Sequence, residues 1–178
     1  MFGDPIMNEK DETLSTLGEV CVLKAGKFVK ADDIKEKQED GLFPCFGGNG
    51  LRGYVPDYNQ DGEYPLIGRQ GALCGNVQFA TGKFHATEHA VVVTPKGNMD
   101  RFWLYHLLCL LNLNRYASGA AQPGLAVNKL EVIRVNIPEL QLQQQYSEFA
   151  KQSDKSKFVV SNRNLSRCSE HTMTLNMR

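Results

Sequence analysis

Four glycines, an asparagine, an arginine and a tyrosine crowd into Phe46-Gly47-Gly48-Asn49-Gly50-Leu51-Arg52-Gly53-Tyr54. Glycine lacks a Cβ, so the backbone of such a stretch can approach a ligand closely while Asn49 and Arg52 offer hydrogen bonds from the same surface. Gly48, Gly50 and Gly53 spell G-x-G-x-x-G, which in nucleotide-binding proteins opens a helix whose N-terminus faces a pyrophosphate. Here Tyr54 to Gly62, with an early Pro56, is a run of turn formers, and no such helix is expected. The simplest reading is a glycine turn between two short strands; the preferred one is a contact loop that presents polar tips.

His85-Ala86-Thr87-Glu88-His89 spells H-x-x-E-H, a zinc-peptidase pattern that works on a helix, where residues four apart share a face. Gly82, Thr87 and the Val91-Val92-Val93 run favour extended backbone instead. Four residues of strand separate two imidazoles by ~13 Å, too far for one zinc with bonds of ~2 Å. Asp57 and Glu63 hint at a nuclease carboxylate pair, but Glu63-Tyr64-Pro65 lacks the lysine that would complete it. A small metal-dependent hydrolase or nuclease built on these groups is the alternative, yet no catalytic residue or metal ligand is expected.

What remains is a set of polar side chains on glycine-supported segments: Asn49, Arg52 and Tyr54; Arg69 and Gln70 within Gly68-Arg69-Gln70-Gly71; Lys83, His85 and Thr87; Ser118 and Gln122 in Ser118-Gly119-Ala120-Ala121-Gln122-Pro123-Gly124. Arginine pairs bidentately with guanine edges and asparagine or glutamine with adenine, while lysine and threonine serve phosphates. Singly, Arg69 or Lys83 reads as ordinary surface charge. As a set, these residues suit direct readout of DNA bases.

The elements that must hold them follow from the hydrophobic pattern. Leu17 to Leu23 reads as a strand with Val20 and Val22 on one face. Short apolar pieces punctuated by glycine, Leu42–Phe46, Tyr64–Gly68, Ala72–Phe79 and His89–Thr94, have the rhythm of an antiparallel β unit, with Val91-Val92-Val93 as a central strand. Asn98 is placed to cap a helix from Asp100 to Leu111 that is apolar nearly all round and therefore packs inside. Val127 to Ile133 is a short helix or strand, Arg134 to Ile137 a closing strand, and Pro138 a boundary. Beyond it, Leu142, Tyr146, Phe149 and Ser153 follow i, i+4, i+7, i+11, a narrow seam that calls for a partner helix. The expected fold class is α+β: a compact, mostly antiparallel β recognition domain with a buried helix, followed by a long C-terminal helix. In residues, that is an arm over 1–16, the domain over 17–138, a dimerisation helix over 139–167 and a tail over 168–178.

With 178 residues, the chain has room for one core plus an extension. Its 42% apolar and 22% charged residues argue for a folded protein. No apolar run reaches the ~20 residues of a membrane span, and Asp4 and Glu9 stand where a signal peptide would be basic then apolar, so a cytoplasmic protein without membrane contact is expected. Cys21, Cys45, Cys74, Cys109 and Cys168 are odd in number and never C-x-x-C, which fits reduced thiols. The formal net charge is zero, divided as −4 over residues 1–40 and +2 over each of 41–138 and 139–178. Any DNA contact is therefore modest per chain.

In order along the chain, Leu17-Gly18-Glu19-Val20, Phe46 to Tyr54, Leu66-Ile67-Gly68-Arg69-Gln70-Gly71, His89-Ala90-Val91-Val92-Val93, Gly119-Ala120-Ala121-Gln122-Pro123 and Ile137-Pro138-Glu139-Leu140 through Gln143-Gln144-Gln145 resemble the DNA specificity subunit of type I restriction-modification systems. The resemblance covers roughly residues 17 to 160. It implies a target-recognition domain that reads one half of a bipartite double-stranded DNA site, and a helix that sets the spacing to the other half. It also implies methyltransferase subunits that use S-adenosylmethionine, a restriction subunit that uses ATP and Mg, and no cofactor or catalysis in this chain. A full subunit of that family has two recognition domains and two helices, so this chain resembles a half-subunit that pairs with itself or with another half. Beyond about Ser161 the seam decays, leaving a truncated, non-binding fragment as a further alternative.

Overall fold

The computed structural model describes residues 14–119 and 123–153. Their chain order is β1 (Ser15–Thr16), α1 (Leu17–Val20), β2 (Cys21–Ala25), a 3-10 turn (Ala31–Asp33), β3 (Phe43–Gly47), β4 (Gly50–Val55), β5 (Gln60–Gly68), β6 (Val77–Ala86), β7 (Ala90–Pro95), α2 (Arg101–Leu110), a second 3-10 turn (Leu113–Tyr116), α3 (Val127–Glu131) and β8 (Arg134–Val135). A last helix, α4, runs over residues 140–153. The architecture is the expected α+β one. Residues 1–13, 120–122 and 154–178, and with them the rest of the expected dimerisation helix and the tail, lie outside the described residues.

Six strands form one sheet in the order β2-β7-β5-β6-β3-β4, antiparallel throughout except where β3 runs parallel to β6 through Cys45–His85 and Phe46–Ala86. The valine run of β7 lies between β2 and β5 and is buried on both faces: Val91 and Val93 join one apolar cluster, Val92 the other. That double burial is why the run is continuous rather than alternating. Leu66 and Ile67 of β5 divide between the two clusters in the same way.

α2 supplies Trp103, Leu104, Leu107 and Leu108 to the larger cluster. It is not buried all round, since Cys109 and Leu110 are exposed. Its cap is Asp100 rather than Asn98: the Asp100 carboxylate accepts the Trp103 N–H at 2.8 Å. Two cap-forming residues stand two apart, and the one adjoining the first helical turn takes the role.

The start of the chain also differs from expectation. Leu17 to Val20 is one helical turn, and extended backbone begins only at Cys21. The cause is local: the Glu19 carboxylate accepts the Thr16 N–H at 2.6 Å, half of a capping box, and this bond holds the Glu19 carboxyl below its usual range. The shift in phase buries Cys21 and Leu23 and turns Val22 outward. Ser15 and Thr16, expected in the arm, pair with Val135 and Arg134 of β8.

α4 docks on the domain through polar groups. Gln143 is 2% and Ser147 3% exposed. The Gln143 amide accepts the Asp100 N–H at 2.9 Å and donates to Pro138 O at 2.7 Å; the Ser147 hydroxyl donates to Asp100 Oδ1 at 2.6 Å. The expected seam is therefore divided. Tyr146 packs on the core, its ring 5.4 Å from that of His106, whereas Leu142 and Phe149 are 45% and 71% exposed. Among the described residues no helix is long and apolar enough to cross a membrane. Cys21, Cys45, Cys74 and Cys109 are free thiols.

Candidate nucleic-acid interface

The Phe46–Tyr54 stretch folds as a hairpin: Gly47 pairs with Gly50 across a two-residue turn, Gly48-Asn49. It opens no helix, as expected. Gly50 has φ of 100°, a left-handed value that side chains resist. Asn49 is exposed at the tip and Arg52 is exposed on β4. The Arg52 stem lies across Gly47, where any Cβ would strike Arg52 Cδ. Tyr54 is half-buried, its backbone bonded in both directions to Lys35.

Three further loops meet this turn. A Cβ on Gly68 would overlap Gly48 O, so the hairpin tip and the Gly68–Gly71 loop touch backbone to backbone. Arg69 N–H donates to His89 O at 3.0 Å, Leu125 N–H to Arg69 O at 2.9 Å, and Gly71 N–H to Pro123 O at 3.0 Å. Ser118 and Gly124 exchange backbone bonds of 2.9 and 2.8 Å. The tip at Asn49, the Arg69-Gln70 loop, the Thr87–His89 turn and the Ser118–Gly124 loop thus form one junction, though they come from distant parts of the chain. Asn49, Gln70 and Ser118 are exposed and Arg69 is half-buried. Gln122 lies outside the described residues.

Two expected tips are not tips. His85 is 8% exposed, with Nδ1 3.2 Å from Asp57 O and Nε2 3.3 Å from Lys27 O; it braces two loops from inside. Thr87 is 0% exposed, because its N–H donates to Phe46 O at 2.9 Å and its carbonyl accepts from Ala90 at 3.0 Å, which seats it beneath the turn. Lys83 is exposed, but on the β5–β6 ribbon opposite Asp61, its ammonium 4.8 Å from the Tyr58 ring centroid. This places it on the ribbon rather than at the junction.

The H-x-x-E-H residues are on no helix: His85 and Ala86 are the last residues of β6, and Glu88 and His89 form the following turn. Among the described residues no group of three or more His, Cys, Asp or Glu is arranged to hold a metal. Glu88 and His89 instead pair with each other, His89 Nε2 lying 3.0 Å from a Glu88 oxygen. Four polar atoms here are buried without a hydrogen-bond partner: Arg69 Nε, Thr87 Oγ1, Glu88 Oε2 and His89 Nδ1. Below them, burial pushes the Cys45 thiol up, Arg52 draws it down and Glu88 pushes it up further, so both charges lie close to Cys45. From the sequence alone, Glu88 and His89 stand out only as candidate metal ligands. What brings them to the Arg69 loop is the β6–β7 turn meeting the hairpin, a contact without a local signal.

Comparison with known proteins matches residues 9–165 to the type I restriction modification DNA specificity domain. The chain is 47% identical over 147 residues to the type I restriction enzyme EcoprrI specificity subunit of Escherichia coli, covering 80% of this chain and 37% of that protein. It is 34% identical over 106 residues to a putative type I restriction enzyme specificity subunit of Haemophilus influenzae, covering 58% and 28%. The crystal structure of a type I restriction-modification system S subunit from M. genitalium superposes with a TM-score of 0.72 at 16% identity, over 97% of this chain and 49% of that one; at that identity it speaks for the fold. The chain spans about a third of the length of these curated relatives. With most of its length matched to one domain description, the chain belongs to the type I restriction modification DNA specificity domain family.

Proposed function

We propose that the junction of four loops reads base edges in double-stranded DNA, so that this chain acts as a recognition half of a type I specificity subunit. The observation that carries the reading is convergence. Asn49, Arg69, Gln70 and Ser118, remote in sequence, stand on loops locked together by backbone bonds, and rigid placement is what base readout requires of its donors. Arg69 suits a guanine and Asn49 or Gln70 an adenine; Ser118 and the ammonium of Lys83 suit phosphates. Arg52 extends the reading surface, and Tyr54 supports the hairpin that carries it.

Recognition is the whole of this chain's part, and the chemistry belongs to partners: methyltransferase subunits using S-adenosylmethionine and a restriction subunit using ATP and Mg. α4 supports pairing, because Leu142 and Phe149 are seven apart, share a face and are exposed. A second copy, or another half-subunit, would cover them and bring a second reader to a split site.

The test is sequence selection from a pool of randomised duplexes. The Arg69→Ala, Gln70→Ala double variant should fold as the parent does and lose about tenfold or more of its preference for the parent's sequence, since one good base contact contributes roughly 1–3 kcal/mol of discrimination. An unchanged preference would sink the assignment of these loops.

A further inference from the structure

The segment Lys24-Ala25-Gly26-Lys27-Phe28-Val29-Lys30 carries three lysines and no acid. All three lysines are exposed, and Phe28 between them is 71% exposed, so the described chain leaves this segment open. Its backbone is nevertheless held. Gly26 N–H donates to Ala90 O at 3.0 Å, Lys27 N–H to Ala86 O at 2.9 Å, and Lys27 O lies 3.3 Å from Nε2 of the buried His85. The other ring nitrogen of His85 lies 3.2 Å from Asp57 O, and Lys83 adds an exposed ammonium on the strand that carries this ring.

The segment also borders the loop junction. A Cβ on Gly26 would lie 2.5 Å from Thr87 O and one on Gly48 3.3 Å from His89 O, so the Thr87–His89 turn stands between the lysines and the hairpin tip. Two Cα steps span at most ~7 Å, and a major groove is ~12 Å wide. A hairpin seated in that groove would have Lys27 and Lys30 beside one of the strands that wall it.

We infer that Lys27 and Lys30 bind backbone phosphates at the edge of the groove that the junction reads, fixing its register without choosing bases. This rests on the junction being the base-reading surface. Phosphates offer only acceptors and the same charge at every step, and an ammonium meets them as a point charge whatever the sequence. Among the described residues neither lysine is held in an ion pair, so each can take an external anion. Asp32, Asp33, Asp57 and Asp61 are exposed on the adjoining segments, which limits the grip to a few phosphates.

The experiment titrates salt against binding of the full chain to its selected duplex and to an unrelated one. The Lys27→Ala, Lys30→Ala double variant should weaken both alike and flatten the slope of log affinity against log salt by about 2, since each lost phosphate contact removes about 0.9. Between about 50 and 200 mM salt it should lose roughly tenfold less affinity than the parent loses. Lys27→Arg, Lys30→Arg should keep the parent's slope. So should Lys96→Ala, which removes an exposed charge beyond the far end of β7. The bases preferred in selection from randomised duplexes should be the same in every variant. Where the parent selects a sequence, an unchanged slope in the alanine variant overturns the role of these lysines alone, as does a change in the bases it prefers or an equal flattening by Lys96→Ala. A parent that selects no sequence overturns the reading of the junction, and this inference falls with it.

Discussion

Asp100 and Glu88 are both carboxylates tucked against a neighbouring loop or helix, but the chain treats them in opposite ways. At the root of α4, Asp100 Oδ1 accepts from Trp103 N–H and from the Ser147 hydroxyl, while Gln143 takes the Asp100 N–H and donates to Pro138 O. At the loop junction, Glu88 Oε2, Arg69 Nε, Thr87 Oγ1 and His89 Nδ1 have no partner. A matched buried network fixes geometry; an unmatched one costs folding free energy unless something outside the chain completes it. The first region is built to hold a helix at one angle, while the second keeps four buried polar atoms without a partner within the chain.

The difference can be broken hardest from underneath. Gly68→Ala forces a Cβ into Gly48 O, backbone against backbone, with no rotamer able to yield. The expected result is a loss of roughly 3 kcal/mol in urea unfolding together with loss of DNA sequence preference, since the two loops can no longer share a floor. Full stability with full preference would show that the loops do not need each other.

Asp100→Ala comes next and tests the matched side. It removes the α2 cap and strands the Ser147 hydroxyl, for an expected loss of roughly 2–3 kcal/mol, or roughly 6–10 °C in Tm. Arg69→Ala and Glu88→Gln should stay within about 0.5 kcal/mol of the parent, because neither breaks a bond made by its side chain to the core. If the Arg69 and Glu88 variants proved as destabilising as Asp100→Ala, the distinction between the two regions would collapse.

The mildest lever is pH. Cys21 lies in the larger core, and burial pushes its thiol up from 9.0 to about 11. The unfolded thiol releases its proton near pH 9 and the folded one only near pH 11, so in between the native state binds the extra proton and stability falls as pH rises. By pH 11 the fall should be roughly 2 kcal/mol, and Cys21→Ala should remove that slope in urea titrations at pH 8 and pH 11. A slope unchanged by the substitution would place the alkaline weakness elsewhere, with the Cys45 thiol beneath the loop junction as the next group to test.

Much of the scaffold was legible in the sequence because its signals are local. The glycine-punctuated strands, the central valine run, the helix after Asp100 and the boundary at Pro138 each announce themselves within a few residues. The one-turn helix at Leu17 was legible too, had Thr16 and Glu19 been taken as a capping box instead of letting the Val20-x-Val22 alternation decide. The docking of α4 was not. Gln143 and Ser147 look like outward polar residues until Asp100, more than forty positions away, is placed against them, so the apolar stripe was assigned to a partner when Tyr146 belongs to the core. The candidate site divides in the same manner. Residue types picked out Asn49, Arg69 and Gln70, but whether His85 and Thr87 point out or brace the inside depends on Lys27, Asp57 and Phe46, which no spacing rule connects to them.

If the junction reads DNA as proposed, the bare contact between Gly48 and Gly68 also bears on how its target can change. Because the two loops rest on each other through main chain alone, the residues above them, Asn49, Arg69 and Gln70, can be exchanged without retooling the floor beneath. On the proposed reading, new targets are reached by altering side chains at the surface, while Gly68, where any Cβ would overlap Gly48 O, stays closed to every other amino acid.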